Sequence, residues 1–166
     1  MGPHPIPHRV LDQHAGPDEK ATLKQLFDSR VTQGPADLEY RTSRWEKNND
    51  ALFLRKSPAD DGTEVGHLHP SDGSMHLTLG PADAATVVDR GWGEYHPLAG
   101  VALDLPETYV LIYPPQTTGD LHAIDRILTA AVLLHAAGSD GRGEPDQPGM
   151  TAPGSDTRGG SATAGT

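Results

Sequence analysis

Histidines are the residues of this sequence best suited to chemistry, and three of them, His67, His69 and His76, lie within ten positions of one another. An imidazole titrates near neutral pH, so it can act as a general base or acid, and its neutral form binds metal ions. The chain has no cysteine, which excludes disulfides, thiolate metal sites and a cysteine nucleophile. Any metal site must therefore use His, Asp or Glu.

The histidines flank an Asp72-Gly73 dipeptide, which predicts a β-hairpin with a two-residue turn. In that register His69 lies opposite His76, and Leu68 lies opposite Leu77. One face of the hairpin is then apolar, as a core requires, and consists of Leu68, Met75, Leu77 and Leu79. The other face carries His67, His69, His76 and Thr78.

Two interpretations of the histidine face stay open. Strand positions that face solvent tolerate His, and an isolated exposed His usually has no function. Three imidazoles on one face favour a functional site, because their mutual repulsion when charged is a cost that a purely structural surface need not carry. A separate hypothesis is a divalent metal bound by His67, His69 and His76, since His-x-His with a third His across a hairpin is a geometry of iron, copper and zinc sites.

The elements that position this hairpin follow from periodicity and turn residues. Helices are predicted over Asp18–Gln33, Pro81–Arg90 and Thr118–Ala137. Strands are predicted over Ala36–Trp45, Asp50–Lys56, Glu64–Pro70, Ser74–Leu79 and Thr108–Tyr113. The order α-β-β-β-β-α-β-α indicates an α+β fold, with a mostly antiparallel sheet of about five strands covered by helices.

The ends of the chain differ in composition from its middle. Residues 1–17 hold four prolines and three histidines without any period, which predicts a flexible arm whose histidines bind nothing. Residues 138–166 are rich in Gly, Ser and Pro and have almost nothing apolar to bury, which predicts a disordered tail. The folded domain is therefore expected over residues 18–137.

The negative charge of the chain disfavours two classes of partner, nucleic acids and anionic membranes. It has 13 Lys and Arg against 23 Asp and Glu, a net charge of −10, so a nucleic acid or an anionic membrane would be repelled on average. No apolar stretch approaches the ~20 residues that span a bilayer, and no signal pattern opens the chain. We expect a cytoplasmic protein with a small-molecule ligand; the oligomeric state is left open.

Four motifs resemble the luciferase domain of fungal bioluminescence in order and spacing. They are Gly66-His67-Leu68-His69, Ser74-Met75-His76-Leu77, the loop from Gly91-Trp92-Gly93 through His96-Pro97-Leu98-Ala99-Gly100, and Tyr113-Pro114-Pro115-Gln116. In the fungal enzymes this domain resembles an oxygenase that adds O2 to the pyrone 3-hydroxyhispidin, giving a peroxide that loses CO2 and emits light. The resemblance implies a fold and a pocket more firmly than a reaction, and light emission is not assumed here.

The resemblance implies a catalytic set of four histidines, His67, His69, His76 and His96. It also implies substrate contacts at Trp92, Tyr95, Tyr113 and Gln116, although a Trp between two glycines is more often a core residue. The family pattern has Arg where this chain has Tyr95 and where it has Gln116. Because guanidinium groups bind anionic oxygens, their loss suggests a less anionic ligand or a weaker activity.

Two functions follow as hypotheses. One is an O2-dependent oxygenase-type enzyme acting on a small enolisable or aromatic compound, in which a neutral imidazole removes a proton and the other imidazoles bind a metal or stabilise negative charge. The other is a non-catalytic small-molecule or metal-binding module of the same fold. In either case Glu94 and Asp72 could orient the imidazoles or could be solvated turn residues.

Overall fold

The computed structural model describes residues 8–55 and 62–140; predictions for residues 1–7, for Lys56 and for 141–166 lie outside these ranges. The described helices are α1 (Pro17–Gln33), α2 (Pro81–Asp89) and α3 (Thr118–Asp140). The described strands are β1 (Leu38–Thr42), β2 (Asp50–Leu54), β3 (Thr63–Leu68), β4 (Met75–Thr78), β5 (Gly93–Tyr95) and β6 (Tyr109–Ile112).

The strands form one antiparallel sheet in the order β1-β2-β3-β4-β6-β5. This confirms the predicted α+β fold, with six strands rather than about five. The additional strand, β5, lies in the segment that the sequence predicts as an irregular loop. Its three residues are too few to show a period, and it is a strand because it pairs with β6 at the edge of the sheet.

All three helices pack on one face of the sheet and close the hydrophobic core. The core takes Leu23 and Phe27 from α1, Ala84 and Val87 from α2, and Leu121, Ile124 and Leu128 from α3. The sheet contributes Leu52, Leu54, Met75, Leu77, Val110 and Ile112. These positions alternate along each strand, so the other face of the sheet points away from the helices.

Irregular segments, rather than helices, cover that other face. The segment from His8 to Ala15 crosses it, and the Ala15 N–H donates to the Asp72 carbonyl at 2.8 Å. The loops at 43–49 and 96–108 lie beside it, joined by a hydrogen bond of 3.0 Å from Trp45 Nε1 to the Leu103 carbonyl. Because both faces are covered, the strand histidines are buried rather than solvent-facing.

The expectation of a flexible arm over residues 1–17 does not fit residues 8–17. Within that segment Val10 and Ala15 are buried, and His8 is only 2% exposed. Pro17 is the first residue of α1. The sequence gives no sign of this packing, because the segment has no period and its contacts are to residues far along the chain.

Helix α3 corrects two further expectations. It continues to Asp140, so the first three residues of the predicted tail, 138–140, are helical. Its Thr118–Gly138 stretch, with a hydropathy of 1.2, is also long and apolar enough to cross a membrane, contrary to the expectation that no segment approaches that length. Core helices of globular domains pass the same test, and α3 packs Ile124 and Leu128 against the sheet.

The hairpin has the predicted faces but a different register. His67, not His69, pairs with His76, and Leu68 pairs with Met75. The loop has four residues, 70–73, because the His69 N–H donates to the Ser74 carbonyl and the Gly73 N–H donates to the His69 carbonyl. Each partner is therefore displaced by two residues, and a shift of two leaves every side chain on its predicted face.

Candidate functional site

His67, His69 and His76 lie on the face of the sheet opposite the helices and are 0%, 0% and 1% exposed. The rings of His67 and His76 are 5.3 Å apart between centroids, and the ring of His69 lies 5.1 Å from that of His67 and 4.8 Å from that of His76. The hairpin thus brings three imidazoles into mutual contact in a buried position.

Glu46, from the loop after β1, adds a carboxylate to the three imidazoles. One oxygen of Glu46 lies 3.5 Å from His67 Nε2, and the other lies 3.6 Å from His69 Nε2 and 3.8 Å from His76 Nδ1. We refer to Glu46, His67, His69 and His76 as the four-donor cluster. Arg9 also contacts both oxygens of Glu46, so the carboxylate is bound by a guanidinium on its outer side.

The outer nitrogens, Nδ1, of His67 and His69 each face an oxygen that accepts a hydrogen bond. His67 Nδ1 lies 2.9 Å from Glu64 Oε1, so Nδ1 carries the hydrogen. His69 Nδ1 lies 2.7 Å from Ser74 Oγ, whose own hydrogen is donated to Asp72. Carboxylates that orient histidines in this way are typical of metal sites.

His76 is held through a second imidazole, that of His8. His8 Nε2 lies 2.9 Å from Glu94 Oε1 and must carry the hydrogen, which leaves His8 Nδ1 as an acceptor. His76 Nε2 faces that acceptor at 3.4 Å. The free electron pair of His76 is therefore on Nδ1, which points toward Glu46.

The centre of the cluster holds several electron pairs and no hydrogen between them. His67 Nε2, His69 Nε2 and His76 Nδ1 all present electron pairs to one another and to Glu46, and none of them carries a hydrogen in this arrangement. His67 Nε2 and His76 Nδ1 are only 3.4 Å apart, and His69 Nε2 is buried without a hydrogen-bond partner. Four electron-pair donors at such distances require a cation between them, either protons or a metal ion.

A metal ion fits the spacing. The four donor atoms all lie within 4.8 Å of one another, and the Glu46 oxygens lie 3.5 to 3.8 Å from the histidine nitrogens. Tetrahedral bonds of about 2.1 Å place donors about 3.4 Å apart. Imidazole and carboxylate donors suit zinc, iron or manganese rather than a soft, thiolate-preferring ion.

The pKa values of the cluster residues shift in different directions. Burial works to lower the pKa of His67, but hydrogen bonds to Glu46 and Glu64 outweigh it and the pKa is raised. Burial lowers the pKa of His69 to about 4 and that of His76 well below its usual value. Burial works to raise the pKa of Glu46, yet its contacts with His67, His69 and Arg9 hold it well below its usual range.

His96 joins the cluster from the loop after β5, as the resemblance implies. Its ring lies 5.4 Å from that of His76 and 4.9 Å from that of His8. Burial lowers the pKa of His96 to about 4. The structure therefore brings together all four histidines implied as catalytic, while their role in a reaction stays a prediction.

The residues implied as substrate contacts do not converge in the same way. Trp92 packs against the hydrophobic core on the helix side of the sheet, and Tyr95 is 42% exposed. Tyr113 donates to Glu94 at 3.2 Å, which places it at the outer end of the His8 contact. Gln116 donates from Nε2 to the carbonyls of Pro114 and Pro115.

A cavity of about 540 Å3 reaches the cluster at His69. It lies between α1 and the tip of the hairpin, and its walls include Phe27, Tyr40 and Leu68 with Lys20 and Lys24 at the side of α1. That volume is typical of sites for small organic ligands. A ligand bound there would lie beside the imidazole whose Nε2 has no partner.

The chain is similar in sequence to known proteins. Residues 62–131 match the family model of the Luciferase domain, and the match contains His67, His69, His76 and His96. The chain contains a luciferase-like domain. Proteins named Luciferase from Armillaria gallica and Armillaria ostoyae are each 32% identical to it over 154 residues, covering 79% of this chain and 58% of the relative.

Luciferase of Neonothopanus nambi is 28% identical over 135 residues, covering 69% of this chain and 51% of the relative. The luciferase-like chain thus spans between half and three fifths of the length of these relatives. No solved structure matches the chain.

Sequence reasoning missed two contributors to the site of this luciferase-like domain, Glu46 and His8. Glu46 stands between a predicted strand and a predicted turn, and His8 lies in the predicted arm. Neither position has a periodic or motif signal. Each reaches the histidines across a long stretch of chain, which for His8 and His76 is 68 residues. The carboxylates Asp72 and Glu94, offered as possible orienting groups, do contact Ser74 and His8.

Proposed function

We propose that this luciferase-like domain is an oxygenase-type enzyme that adds O2 to a small enolisable or aromatic compound at the four-donor cluster. The observation that carries the proposal is the convergence of Glu46 and three imidazole electron pairs on one buried point, with His69 Nε2 unpartnered. Its similarity to proteins named Luciferase supports the choice of oxygen chemistry. A divalent metal held by the cluster would act as a Lewis acid that favours the anion of an enol.

The residues around the cluster supply acid–base chemistry. In the proposed reaction a neutral imidazole of the site takes a proton from the substrate RH, and the electron pair left on carbon forms a C–O bond to O2. The proton then returns to the outer oxygen. The balance is RH + O2 → ROOH, and no further oxidant or reductant is needed.

The substrate binds, in this proposal, in the 540 Å3 cavity beside His69. The aromatic and aliphatic walls suit a flat ring, and the lysines of α1 suit a weakly acidic hydroxyl or carbonyl oxygen. Lys20 and Lys24 already contact the Ser71 carbonyl and Asp28, so the cavity is less basic than two free cations would make it. This agrees with the loss of the family arginines at Tyr95 and Gln116.

The proposal is tested by metal analysis and oxygen uptake. The purified chain should contain or take up close to one equivalent of a divalent metal, and a panel of hydroxypyrones should stimulate oxygen consumption. His69→Ala should lose both properties, because it removes a donor of the four-donor cluster. His122→Ala, which changes an exposed histidine of α3, is the matched control. Metal binding that is equal in both variants would contradict the proposed centre.

The second hypothesis, a non-catalytic module, is favoured by one observation: the cluster is closed, with its imidazoles at most 1% exposed. In that case the metal would be structural, and chelation would unfold the domain without any activity being found. A protein that binds one equivalent of metal but shows only background oxygen uptake with every compound would support the non-catalytic module. The same result would count against the oxygenase.

A further inference from the structure

A second cavity, of about 230 Å3, lies between α2 and α3 on the helix side of the sheet. We call it the α2–α3 cavity, and it has no wall residue in common with the cavity proposed above for the substrate. Its charged wall residues are Asp83, Arg90 and Arg126, and its apolar wall includes Val87, Trp92 and Ile127. Sites for drug-sized ligands have volumes of about 300–1,000 Å3, so this smaller cavity suits a single ring with a short chain.

The two helices run antiparallel along the α2–α3 cavity. A Cβ built at Gly80, just before α2, would lie 3.8 Å from a methyl carbon of Leu134, near the end of α3. The end of α2, with Arg90, therefore lies beside the first half of α3, with Arg126. Asp83 is seven residues before Arg90, on the same face of α2 and about 10 Å away along the helix axis. The cavity thus has a basic end and an acidic end.

The guanidinium groups of Arg90 and Arg126 have no partner among the described residues. Every other described arginine has an ion pair or a hydrogen bond to another residue. Both side chains are exposed, so a solute can reach them from the solvent. Two guanidinium groups beside one cavity repel each other, and an anion bound between them removes that repulsion.

A carboxylate suits this pair of arginines, and an aromatic ring suits the rest of the wall. A guanidinium group binds a carboxylate through two parallel N–H donors. Trp92 is half-buried and packed against the core, which fixes the position of its indole in the wall. An inorganic anion would leave the apolar wall in water, and a cation would be repelled by the two arginines.

We infer that the α2–α3 cavity binds a small aromatic monocarboxylate. Arg90 and Arg126 bind its carboxylate, and its ring contacts Trp92 and Ile127. Asp83, at the other end of the cavity, repels a second carboxylate and so selects against dicarboxylates of the same length. The site is additional to the centre of the proposed reaction, and it does not depend on the oxygenase proposal.

The first test is the affinity of the full chain for 3-phenylpropionate, measured by calorimetric titration at low ionic strength. This probe should bind at least about tenfold more tightly than 3-phenylpropan-1-ol, which has the ring without the charge, and than acetate, which has the charge without the ring. A probe that does not bind, or that binds no better than either reference compound, would overturn the inference.

Substitutions in the wall test the role of each group. Arg90→Gln and Arg126→Gln should each weaken binding of 3-phenylpropionate about tenfold, and Ala123→Leu should weaken it by filling the basic end of the cavity. Arg55→Gln is the matched control, because Arg55 is exposed, makes the same change in net charge and lies outside the cavity. Affinities for the probe that are the same in all three arginine variants would refute the site.

The acidic end is tested with 3-(4-carboxyphenyl)propionate, which carries a second carboxylate on the ring. It should bind more weakly than 3-phenylpropionate, and Asp83→Asn should reduce the difference. The same difference in both proteins would refute the role of Asp83 in selecting a monocarboxylate.

The position of the bound probe is tested by nuclear magnetic resonance. The chain has two tryptophans, Trp45 and Trp92, and Trp45 lies outside the α2–α3 cavity. On titration with 3-phenylpropionate the indole N–H signal of Trp92 should shift, while that of Trp45 stays in place. Binding that leaves Trp92 unshifted and is weakened by Lys20→Gln would place the probe in the substrate cavity and overturn the inference. Because these measurements need neither metal nor oxygen, their outcome is separate from that of the proposed oxygenase.

Discussion

At the scale of single residues, the cluster depends on which nitrogen of each imidazole carries the hydrogen. Glu64 and Ser74 bind the Nδ1 atoms of His67 and His69 and so direct both Nε2 electron pairs inward. Without those partners each ring could rotate or change tautomer and leave the centre. The outer groups therefore act on metal binding without touching the metal.

Ser74→Ala should lower the affinity for a divalent metal by about 10- to 100-fold, because His69 loses the group that fixes its tautomer. Competition with a chromophoric chelator measures the effect. Ser29→Ala is the control, since the Ser29 hydroxyl donates to the Leu26 carbonyl within α1 and, among the described residues, has no bond to the cluster. An unchanged affinity in Ser74→Ala would show that the outer contacts do not orient the ring.

Gly66 has no room for a side chain, because atoms of the neighbouring strand β4 lie close to it. A Cβ there would lie 2.2 Å from the His76 carbonyl oxygen and 2.6 Å from a methyl of Leu77. Gly66→Ala should therefore lower the free energy of unfolding by about 1–3 kcal/mol, as an overpacked core position does.

Urea denaturation measures the free energy of unfolding of Gly66→Ala. Gly138→Ala is the control variant. Nothing lies within 4 Å of a Cβ at Gly138, which is in α3, so the helix should be unchanged or slightly more stable. If Gly66→Ala were as stable as that control, the close pairing of β3 with β4 at this point would be wrong.

At the scale of elements, the faces of the hairpin could be predicted from the sequence and its register could not. Alternation of Leu and His assigns each side chain to a face, and that assignment survives any shift of two residues. The turn itself was mispredicted because Pro70 ends β3 early and the loop then closes over four residues. The local sequence favours a two-residue Asp-Gly turn. Tertiary contacts, such as that of Ala15 with Asp72, favour the four-residue loop instead.

The β-bulge in β3 likewise could not be predicted from the sequence. The pairing of β2 with β3 shifts by one residue between Leu52 and Phe53, which places Glu64 on the same face as His67. By simple alternation these two residues, three apart, would point to opposite faces. The orienting carboxylate of His67 therefore depends on the bulge and could not be inferred from spacing.

The segment from His8 to Ala15 is predicted to stabilise the domain. Deleting residues 1–13 removes the buried Val10 and the Arg9 contact with Glu46, and should lower the free energy of unfolding by about 2–4 kcal/mol. Urea denaturation of the metal-free protein measures it. Leu11→Ser, at a residue 61% exposed in the same segment, should leave stability unchanged. Equal stability of the truncated and full chains would instead favour the flexible arm that the sequence predicts.

At the scale of the whole molecule, the sheet separates an apolar face from a polar one, and both are buried. The apolar face could be predicted, since helical and strand periods in the sequence both report burial against a core. The segments that cover the polar face could not be predicted from the sequence. They are irregular, and their positions depend on contacts with Glu46, Glu94 and the histidines. Burying so many polar groups stabilises little unless all of them are satisfied, and His69 Nε2 in the four-donor cluster is one of those that are not.

A bound cation should therefore stabilise the entire fold. A ligand present at about 100 times its dissociation constant, which binds only the folded state, adds about 2.7 kcal/mol to the free energy of unfolding. For a domain of this size that raises the melting temperature by about 5–10 °C. Calorimetry of the chelator-treated protein, with and without added zinc, iron(II) or manganese(II), tests this. His69→Ala should lose most of the rise and His122→Ala should keep it, because only the first removes a donor from the cluster. A rise of the same size in both variants would place the cation elsewhere on this acidic chain, and the absence of any rise in the unsubstituted protein would mean that protons alone fill the centre.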